Sequence, residues 1–405
     1  MRRPAASSRR TTAAPRCTAS PGAPTTCCAA SSRRAASGCR GARGFTMAMD
    51  LRLSDLQELI RDSADDFLER EAPASRMRQI EWAGEPDEEL WGQMIELGWT
   101  GLPIAEEHGG QGAELVDLGV LIEQLCRHAL LSPYQQTMLA AATVQAHGDE
   151  ALQASLLPRI VAGATCAPAL GEGNGGPNGE IATTTDGATL SGSKSYVDFG
   201  ATSDLHLVAA TRDGEPGLAV VERDQPGVST RALTGIGLTP QAEVTYDGAS
   251  VEGWIGGAEA VDFLRVLGSA ISSLECYAHA QRALDMTVSY VQVRVAFGRP
   301  IGTFEAVQGR VADAAVGVTA SRFLAYEQLY RLDQGELDAL HAAKVKSVVS
   351  RSMVDATNWG HVLHGGVGFM AEYDLQFHTR RGKEASLRWG DPRESLGAVA
   401  ASVFS

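Results

Sequence analysis

The sequence contains nine histidines and seven cysteines that could transfer a proton or bind a metal. His361 and His364 flank the end of a predicted helix and could titrate near neutral pH, although a structural role is the favoured interpretation. Cys126, Cys166 and Cys276 are the cysteines beyond the N-terminal segment, and their spacing fits neither a disulfide framework nor a zinc site. The sequence therefore predicts no metal site and indicates a reducing compartment, the cytoplasm.

The elements that must position such residues change type twice along the chain. Apolar residues recur at helical spacing over 49–161, and short β-rich runs separated by Asp-Gly turns occupy 162–256. Over 257–405 helical patterns return, and long helices with short connections are typical of an antiparallel bundle. The sequence predicts an α+β fold with an N-terminal α-helical domain, a middle antiparallel β-barrel or sandwich domain and a C-terminal four-helix bundle.

Residues 1–48 are predicted to be a disordered or non-native leader. The first 46 residues hold nine Arg and no Lys, Asp or Glu, and they offer little apolar surface to bury. This composition also describes an organelle transit peptide. The favoured interpretation is a start codon assigned too early, with Met47 or Met49 as the true start.

The charge of the remaining chain disfavours two classes of partner. The whole sequence carries a formal charge of −14, and without the arginine-rich leader it is still more acidic. Such a body repels nucleic acid and anionic membrane surfaces. No stretch approaches 18 consecutive apolar residues, so no membrane-spanning helix is predicted.

Five motifs, standing in order along the chain, narrow the function. The two most distinctive are RVAFGRPIGTFEAVQGRVAD at 294–313 and HGGVGFMAEYDL at 364–375, and three more lie at 101–112, 190–210 and 246–252. Together they resemble the acyl-CoA dehydrogenase family over nearly all of the chain beyond the leader. The resemblance implies an FAD enzyme that removes the α- and β-hydrogens of an acyl-CoA thioester. In that family a glutamate takes the α-proton, and N5 of the flavin accepts the β-hydrogen as hydride.

The resemblance also assigns contacts with FAD to particular residues. Arg294 matches the arginine that pairs with the FAD pyrophosphate across a subunit boundary, a role that suits a guanidinium. Gly365 and Gly366 match a diglycine where the backbone passes close to the flavin nucleotide, or else they cap the preceding helix. The cofactor-binding residues expected from the resemblance are Arg294, Phe297, Phe304, Glu305, Gly365, Gly366 and Tyr196.

Several matched positions depart from the family pattern. Glu305 replaces a glutamine and puts an anion near the dinucleotide. Tyr196 replaces a tryptophan that covers the flavin, and could still stack on it. Asp198 replaces a threonine that donates to the flavin, and an anion there disfavours the reduced, anionic flavin. Glu172 is retained from a motif that hydrogen-bonds flavin and substrate in the family.

No catalytic residue is identified at either position where the family carries its base. The position 24 residues after the first glycine of the diglycine holds Trp389, and the position 26 residues before Arg294 holds Gly268. Neither residue can accept a proton. Glu275 lies about two helical turns, roughly 10 Å, beyond Gly268, and Asp391 is interpreted as a helix cap.

Three hypotheses about function stay open. The favoured one is a subunit of a mixed, tetrameric acyl-CoA dehydrogenase of fatty acid or steroid side-chain β-oxidation, in which a homologous partner supplies the glutamate. The second is a self-sufficient dehydrogenase with an unrecognised base. The third is a non-catalytic relative that binds CoA esters or scaffolds a complex. The resemblance implies FAD as cofactor, an acyl-CoA as substrate, and an electron-transfer flavoprotein or similar protein as electron acceptor.

Overall fold

The computed structural model describes residues 52–173 and 176–404 of the chain. The predicted leader over 1–48 lies outside these residues. The described residues belong to one compact unit that runs from Met49 to Ser405. Within it, a segment of helices is followed by a segment of strands and then by a second segment of helices, in the order that the periodicity predicts.

Six helices make up the first segment, and polar side chains cap the start of several of them. They are α1 (Asp55–Glu71), α2 (Ala74–Ala83), α3 (Glu88–Glu96), α4 (Leu115–Arg127), α5 (Tyr134–His147) and α6 (Glu150–Val161). Ser54 accepts a hydrogen bond from the backbone N–H of Gln57 at the start of α1, and Asp149 accepts one from Leu152 at the start of α6. Helix α5 is buried on nearly every face, so it lies between other elements.

The middle segment forms one sheet in which most neighbouring strands run antiparallel. Its strands are β1 (Cys166–Ala169), β2 (Thr184–Thr185), β3 (Thr189–Asp198), β4 (Leu205–Arg212), β5 (Glu215–Glu222), β6 (Val228–Thr234), β7 (Pro240–Ser250) and β8 (Gly253–Gly256). The strand order is β6-β7-β3-β2-β4-β5-β8, and β1 pairs with β4. Strands β1 and β2 run parallel to β4, which the prediction did not include. Asp213 and Gly214 adopt positive φ between β4 and β5, which confirms the predicted Asp-Gly hairpin.

Five helices follow the sheet, and the first of them runs the length of the bundle. They are α7 (Ala258–Val293), α8 (Glu305–Asp333), α9 (Ala339–His364), α10 (Leu375–Leu387) and α11 (Pro392–Phe404), with a small hairpin of β9 (Val295–Ala296) and β10 (Arg299–Pro300) between α7 and α8. Helix α7 has 36 residues, so it is about 54 Å long, and it packs against α8, α9 and α10. The predicted fold class is confirmed. Among the helices described, none is both long enough and apolar enough to cross a membrane.

Both faces of the sheet are buried, each in a different core. Along β4, Leu207 and Ala209 belong to a large core shared with the helices. The intervening residues Val208 and Ala210 belong to a second core within the sheet segment. This alternation follows from the two-residue period of a strand. The sheet is therefore held against the helices by one face of its central strand.

Buried histidines predict that the chain loses stability in mild acid. Burial lowers the pKa of His206 to about 4 and that of His279 to about 3, whereas an unfolded histidine titrates near 6.5. Above about pH 6.5 both histidines are neutral in the folded and in the unfolded chain, so they do not make the free energy of unfolding depend on pH. As the pH falls from about 6.5 towards 4, only the unfolded chain takes up the protons. The free energy of unfolding then falls by about 1.4 kcal/mol per pH unit for each histidine.

Denaturant titrations at about pH 7, 6 and 5 measure this slope. The ring of His206 lies 2.9 Å from the carbonyl oxygen of Gly200, and the variant His206→Gln keeps a side-chain donor for that carbonyl. We expect the free energy of unfolding of this variant to fall by about 1.4 kcal/mol per pH unit less than that of the wild type. A stability that does not change over this range would contradict the prediction.

Candidate active site

The two positions expected to hold a base lie in contact with each other. Gly268 is near the start of α7, and Trp389 follows the end of α10 in the left-handed conformation, with φ +56°. The indole of Trp389 lies so close to Gly268 that a Cβ at this glycine would overlap it. The aromatic ring at one expected base position therefore packs against the backbone of the other.

Replacing Gly268 with alanine should destabilise the chain, although alanine is the better helix former. The new methyl group forces Trp389 aside, and overpacking of this kind costs about 1–3 kcal/mol. The same change at Gly309 in α8 meets open space and should raise stability by up to about 1 kcal/mol. Urea unfolding of the two variants measures the contrast. Equal stability of the two alanine variants would mean that Trp389 does not pack on Gly268.

A cavity of about 430 Å³ lies beside Trp389, between the sheet and the C-terminal helices. This volume is in the range of small-ligand sites. Part of its lining is aromatic or apolar and includes Tyr196 and Leu387. Another part is charged and includes Asp198 and Arg388. The cavity therefore offers both stacking surfaces and polar contacts to a ligand.

A β-bulge brings Tyr196 to the cavity. The register between β3 and β7 shifts between Lys194 and Val197, so Tyr196 has no partner in the ladder and adopts φ +57°. Lys194 is fully buried, and its Nζ lies 2.5 Å from Oε1 of Glu172. Glu172 also accepts a hydrogen bond from the backbone N–H of Thr183 at 3.0 Å. The retained Glu172 therefore anchors the strand that carries Tyr196.

Arg388 lies against Asp198 and offsets the negative charge at this position. Nε of Arg388 lies 3.0 Å from Oδ2 of Asp198. Gln136 donates a hydrogen bond to the same carboxylate at 3.0 Å, and Gln241 donates another at 2.7 Å. With three partners, Asp198 links the sheet to α5 and to the residue that follows α10. Its charge alone is thus no argument against a reduced flavin.

Two further carboxylates share Arg388. Oε2 of Glu275 lies 3.4 Å from Nη1 of Arg388, and Oε2 of Glu384 lies 3.3 Å from Nη2. Burial raises the pKa of both glutamates. Glu384 lines the 430 Å³ cavity, whereas Glu275 lines a neighbouring cavity of about 40 Å³. Sequence reasoning missed Arg388 and Glu384, and the signal that could have found Arg388 was its place directly before Trp389.

The expected FAD-binding residues of the C-terminal helices lie at the other end of the bundle. Arg294 follows the last residue of α7, 26 residues after Gly268, which is about 39 Å along the helix. Tyr290 donates a hydrogen bond to the carbonyl of His364 at 3.3 Å, so the diglycine at 365–366 lies beside the end of α7. The structure therefore brings Arg294 and the diglycine together but holds both far from the cavity.

The hairpin beyond Arg294 presents its side chains to solvent. Phe297 at its tip is 95% exposed and has φ +53°. The ring of Phe304 lies 6.2 Å from that of Phe297, and Arg299 stacks on Phe304 at 4.2 Å. Glu305, the first residue of α8, is exposed. The guanidinium of Arg294 is exposed too and has no hydrogen bond or ion pair with any residue that the structure describes.

The turn after α9 requires a glycine and leaves open space above it. Gly365 has φ +62°, and a Cβ on Gly365 or Gly366 would meet no atom within 4 Å. His364 is buried, its Nδ1 donates to the carbonyl of Gly360 at 2.7 Å, and its ring stacks on Tyr290 at 4.3 Å. These contacts support the structural role expected for His364. Gly365 ends α9, and the backbone beyond it is open to a ligand.

Two family models match the chain on either side of the sheet. The model of the acyl-CoA dehydrogenase N-terminal domain matches residues 54–164, and that of the acyl-CoA dehydrogenase C-terminal domain matches residues 268–387. The two matched ranges together span more than half of the chain. The chain belongs to the acyl-CoA dehydrogenase family.

Known relatives of this acyl-CoA dehydrogenase agree with the assignment. It is 27% identical over 385 residues to acryloyl-CoA reductase (NADH) of Anaerotignum propionicum, covering 88% of this chain and 96% of the relative. It is 27% identical to the steroid ACAD Tcur3481-Tcur3483, with a TM-score of 0.81 over 86% of this chain and 97% of that one. The ChsE4-ChsE5 complex from Mycobacterium tuberculosis, at 23% identity, shares the fold with a TM-score of 0.83 over 88% and 99%. Like its family, the chain is an FAD-dependent oxidoreductase of acyl-CoA metabolism.

Proposed function

We propose that this chain is one subunit of a mixed acyl-CoA dehydrogenase whose homologous partner supplies the catalytic glutamate. The observation that carries the proposal is the contact between Trp389 and Gly268, because an indole stands where either family position would put its base. A general base must come within hydrogen-bond distance of the proton that it abstracts. The buried carboxylates of Asp198, Glu275 and Glu384 are held by Arg388, the residue directly before Trp389.

The proposal assigns FAD to the junction between two chains. Arg294 would pair with the pyrophosphate of an FAD held mainly by the partner, because Arg294 lies about 39 Å along α7 from Gly268, and Gly268 contacts Trp389 of the cavity. An exposed guanidinium without a partner among the described residues fits this role, and so does the open backbone at Gly365 and Gly366. When bound, the flavin accepts the hydride from the substrate's β-carbon. Tyr196 would contact only an FAD that lies in this chain's own cavity.

Exposed apolar side chains near Arg294 support a neighbouring chain at this end of the bundle. Clustered apolar exposure of this kind marks protein interfaces. The residues concerned lie on two segments that the contact between Tyr290 and His364 brings together. They are Val293, Val295, Phe297, Val362, Val367, Phe369 and Met370. A homologous subunit covering them would also bring its own flavin to Arg294.

The finer assignments rest on the relatives and on the cysteines. The steroid ACAD Tcur3481-Tcur3483 carries two component names, which favours a two-component enzyme and a bulky acyl group such as a steroid side chain. An electron-transfer flavoprotein or a similar protein would take the electrons from the flavin. Cys126, Cys166 and Cys276 are free and buried, which favours the cytoplasm.

Flavin counting tests the proposal. The chain is purified alone and together with a homologous subunit that carries the family glutamate, and flavin absorbance is compared with protein concentration. We expect one FAD per two polypeptides in the mixed assembly and little FAD in the chain alone. One FAD per chain in the chain alone would overturn the proposal in favour of a self-sufficient enzyme. An assembly without flavin or activity would favour a non-catalytic relative.

A further inference from the structure

We propose that Glu384 holds a proton at neutral pH, and that this proton fastens the loop of residues 235–239 at the wall of the cavity beside Trp389. The loop joins β6 to β7, and its residues Gly235 and Ile236 line the cavity. Loss of the proton in alkaline solution would loosen the loop, so the contact is a pH-sensitive switch. The inference concerns a group that the proposed function does not use, and it is tested on the full chain without a partner.

The buried charges around Glu384 balance only if one carboxylate is protonated. Arg388 lies within 3.4 Å of three carboxylates, those of Asp198, Glu275 and Glu384. The second cation is Lys346, which is fully buried and has its Nζ 2.7 Å from the carbonyl oxygen of the residue after Glu384. Two cations and three anions leave a net negative charge in a buried place, which is unfavourable. A single proton removes this charge.

Three further ionisable groups near Glu384 do not offset the third carboxylate. Arg381, one turn earlier on α10, is paired with Glu81 at 2.7 Å. Burial lowers the pKa of His279 to about 3 and raises the pKa of the Cys126 thiol, so both are neutral at neutral pH. The loop itself contributes no ionisable side chain, because its sequence is Gly-Ile-Gly-Leu-Thr. The proton must therefore lie on one of the carboxylates.

The hydrogen bonds place the proton on Oε1 of Glu384. This oxygen is sealed from solvent and has no donor among the residues described. A charged carboxylate oxygen without a donor is unfavourable in a buried place, whereas a protonated oxygen is itself a donor. The Cβ position of Gly235 would lie 2.5 Å from this oxygen and 2.9 Å from the amide oxygen of Gln241, so an acceptor faces the same space. Burial, and then the charge of Asp198, raise the pKa of Glu384 in agreement.

The same carboxyl group holds the loop in place. Thr239, at the end of the loop, donates a hydrogen bond to Oε2 of Glu384 at 2.7 Å. A Cβ on Gly237 would overlap that oxygen, so the loop backbone packs directly against the carboxyl group. Deprotonation puts an unbalanced charge against this backbone and leaves Oε1 without a donor. Both effects favour a loosened loop.

The variant Glu384→Gln tests the protonation state, because the amide has the shape of the neutral acid and also carries a donor. We expect the variant to fold and to be at least as stable as the wild type at about pH 7. Between about pH 5 and 7, urea titrations should show the unfolding equilibrium constant of the wild type rising about tenfold per pH unit relative to that of the variant. The reason is that the unfolded glutamate releases its proton near about pH 4.3, whereas the folded one keeps it. The contributions of the histidines cancel in this ratio.

Asp198→Asn is the matched control, since three donors show that Asp198 is charged. Breaking a buried ion pair should raise the unfolding equilibrium constant of this variant at least about a hundredfold at about pH 7. A similar loss in Glu384→Gln, or a ratio that stays constant between about pH 5 and 7, would mean that Glu384 is charged and would overturn the proposal. Should Glu384→Gln not fold, infrared spectroscopy of the wild type still decides. The carbonyl band of a protonated carboxyl group must be present at about pH 7 and lost in alkali.

Hydrogen exchange, read by mass spectrometry, tests the switch. Peptides that cover 235–239 should exchange alike in the wild type and in Glu384→Gln at about pH 7, and at least about threefold faster in the wild type at about pH 9. The hairpin of β4 and β5 should exchange alike in both proteins at either pH. Equal exchange of the loop in the two proteins at both pH values would show that the proton does not hold it, and would overturn the switch.

Discussion

Replacing Arg294 with alanine is expected to lower the FAD affinity of the assembled enzyme by a factor between tens and thousands. Removing one partner of a charge-assisted pair across an interface costs about 2–5 kcal/mol. The guanidinium of Arg294 makes no hydrogen bond or ion pair with any described residue of its own chain, and alanine keeps the backbone hydrogen bonds to Tyr290 and Ile301, so the change should disturb the fold little. Fluorescence titration of the flavin-free assembly with FAD measures the loss.

Two further variants test whether FAD affinity depends on a specific pair between Arg294 and the cofactor or only on the overall charge of the protein. Arg294→Lys keeps the charge but removes the planar fork, so its FAD affinity should lie between those of the wild type and the alanine variant. Arg351 lies on α9 in an exposed pair with Asp355, at 2.8 Å. Such surface pairs contribute about 0–1 kcal/mol, and Arg351→Ala should leave FAD binding unchanged. Undiminished flavin in Arg294→Ala after extensive dialysis would show that this arginine has no contact with the cofactor.

The fold could be predicted from the sequence because each element carries a local signal. Ser54 and Asp149 cap helices through bonds to residues three positions away, and Asp213 with Gly214 forms a hairpin turn from its own dihedral preferences. The parallel pairing of β1 with β4 has no such signal. Cys166 pairs with Leu205 across nearly 40 residues, and only the packing of the whole sheet decides that register.

The candidate site could be predicted in its positions but not in its contacts. Counting from the family motifs identified Trp389 and Gly268, yet their packing depends on where the end of α10 meets the start of α7. Likewise, the negative charge of Asp198 could be read from the sequence but its pairing could not, because Arg388 lies 190 residues further along the chain. Charge pairs between distant residues are decided by tertiary structure, and a sequence pattern does not contain them. Glu384 was missed for the same reason.

The purified chain without a partner is expected to turn over acyl-CoA thioesters at least about 10²–10⁴-fold more slowly than the mixed assembly, because general-base help is worth about that much and the chain alone also holds little FAD. The α-proton of a thioester is a weak acid, and Trp389 fills the place from which a carboxylate would take it. Dye-coupled assays with short, long and steroid CoA esters compare this chain, its partner and the two together. A trace of turnover by the chain alone agrees with the expectation, because the loss of general-base help slows the reaction but does not stop it.

The partner's glutamate is the matched control for this prediction. Its replacement by glutamine should lower turnover by the assembly about 10²–10⁴-fold while the flavin content stays the same, because no base would then remain. His364 cannot take over, since it lies beside Tyr290, about 33 Å along α7 from Gly268. Robust turnover by the chain alone, with one FAD per chain, would contradict the prediction and require a base within it. Glu384→Gln should then abolish turnover and Glu275→Gln should not, because Glu384 lines the large cavity, whereas Glu275 lines the small one.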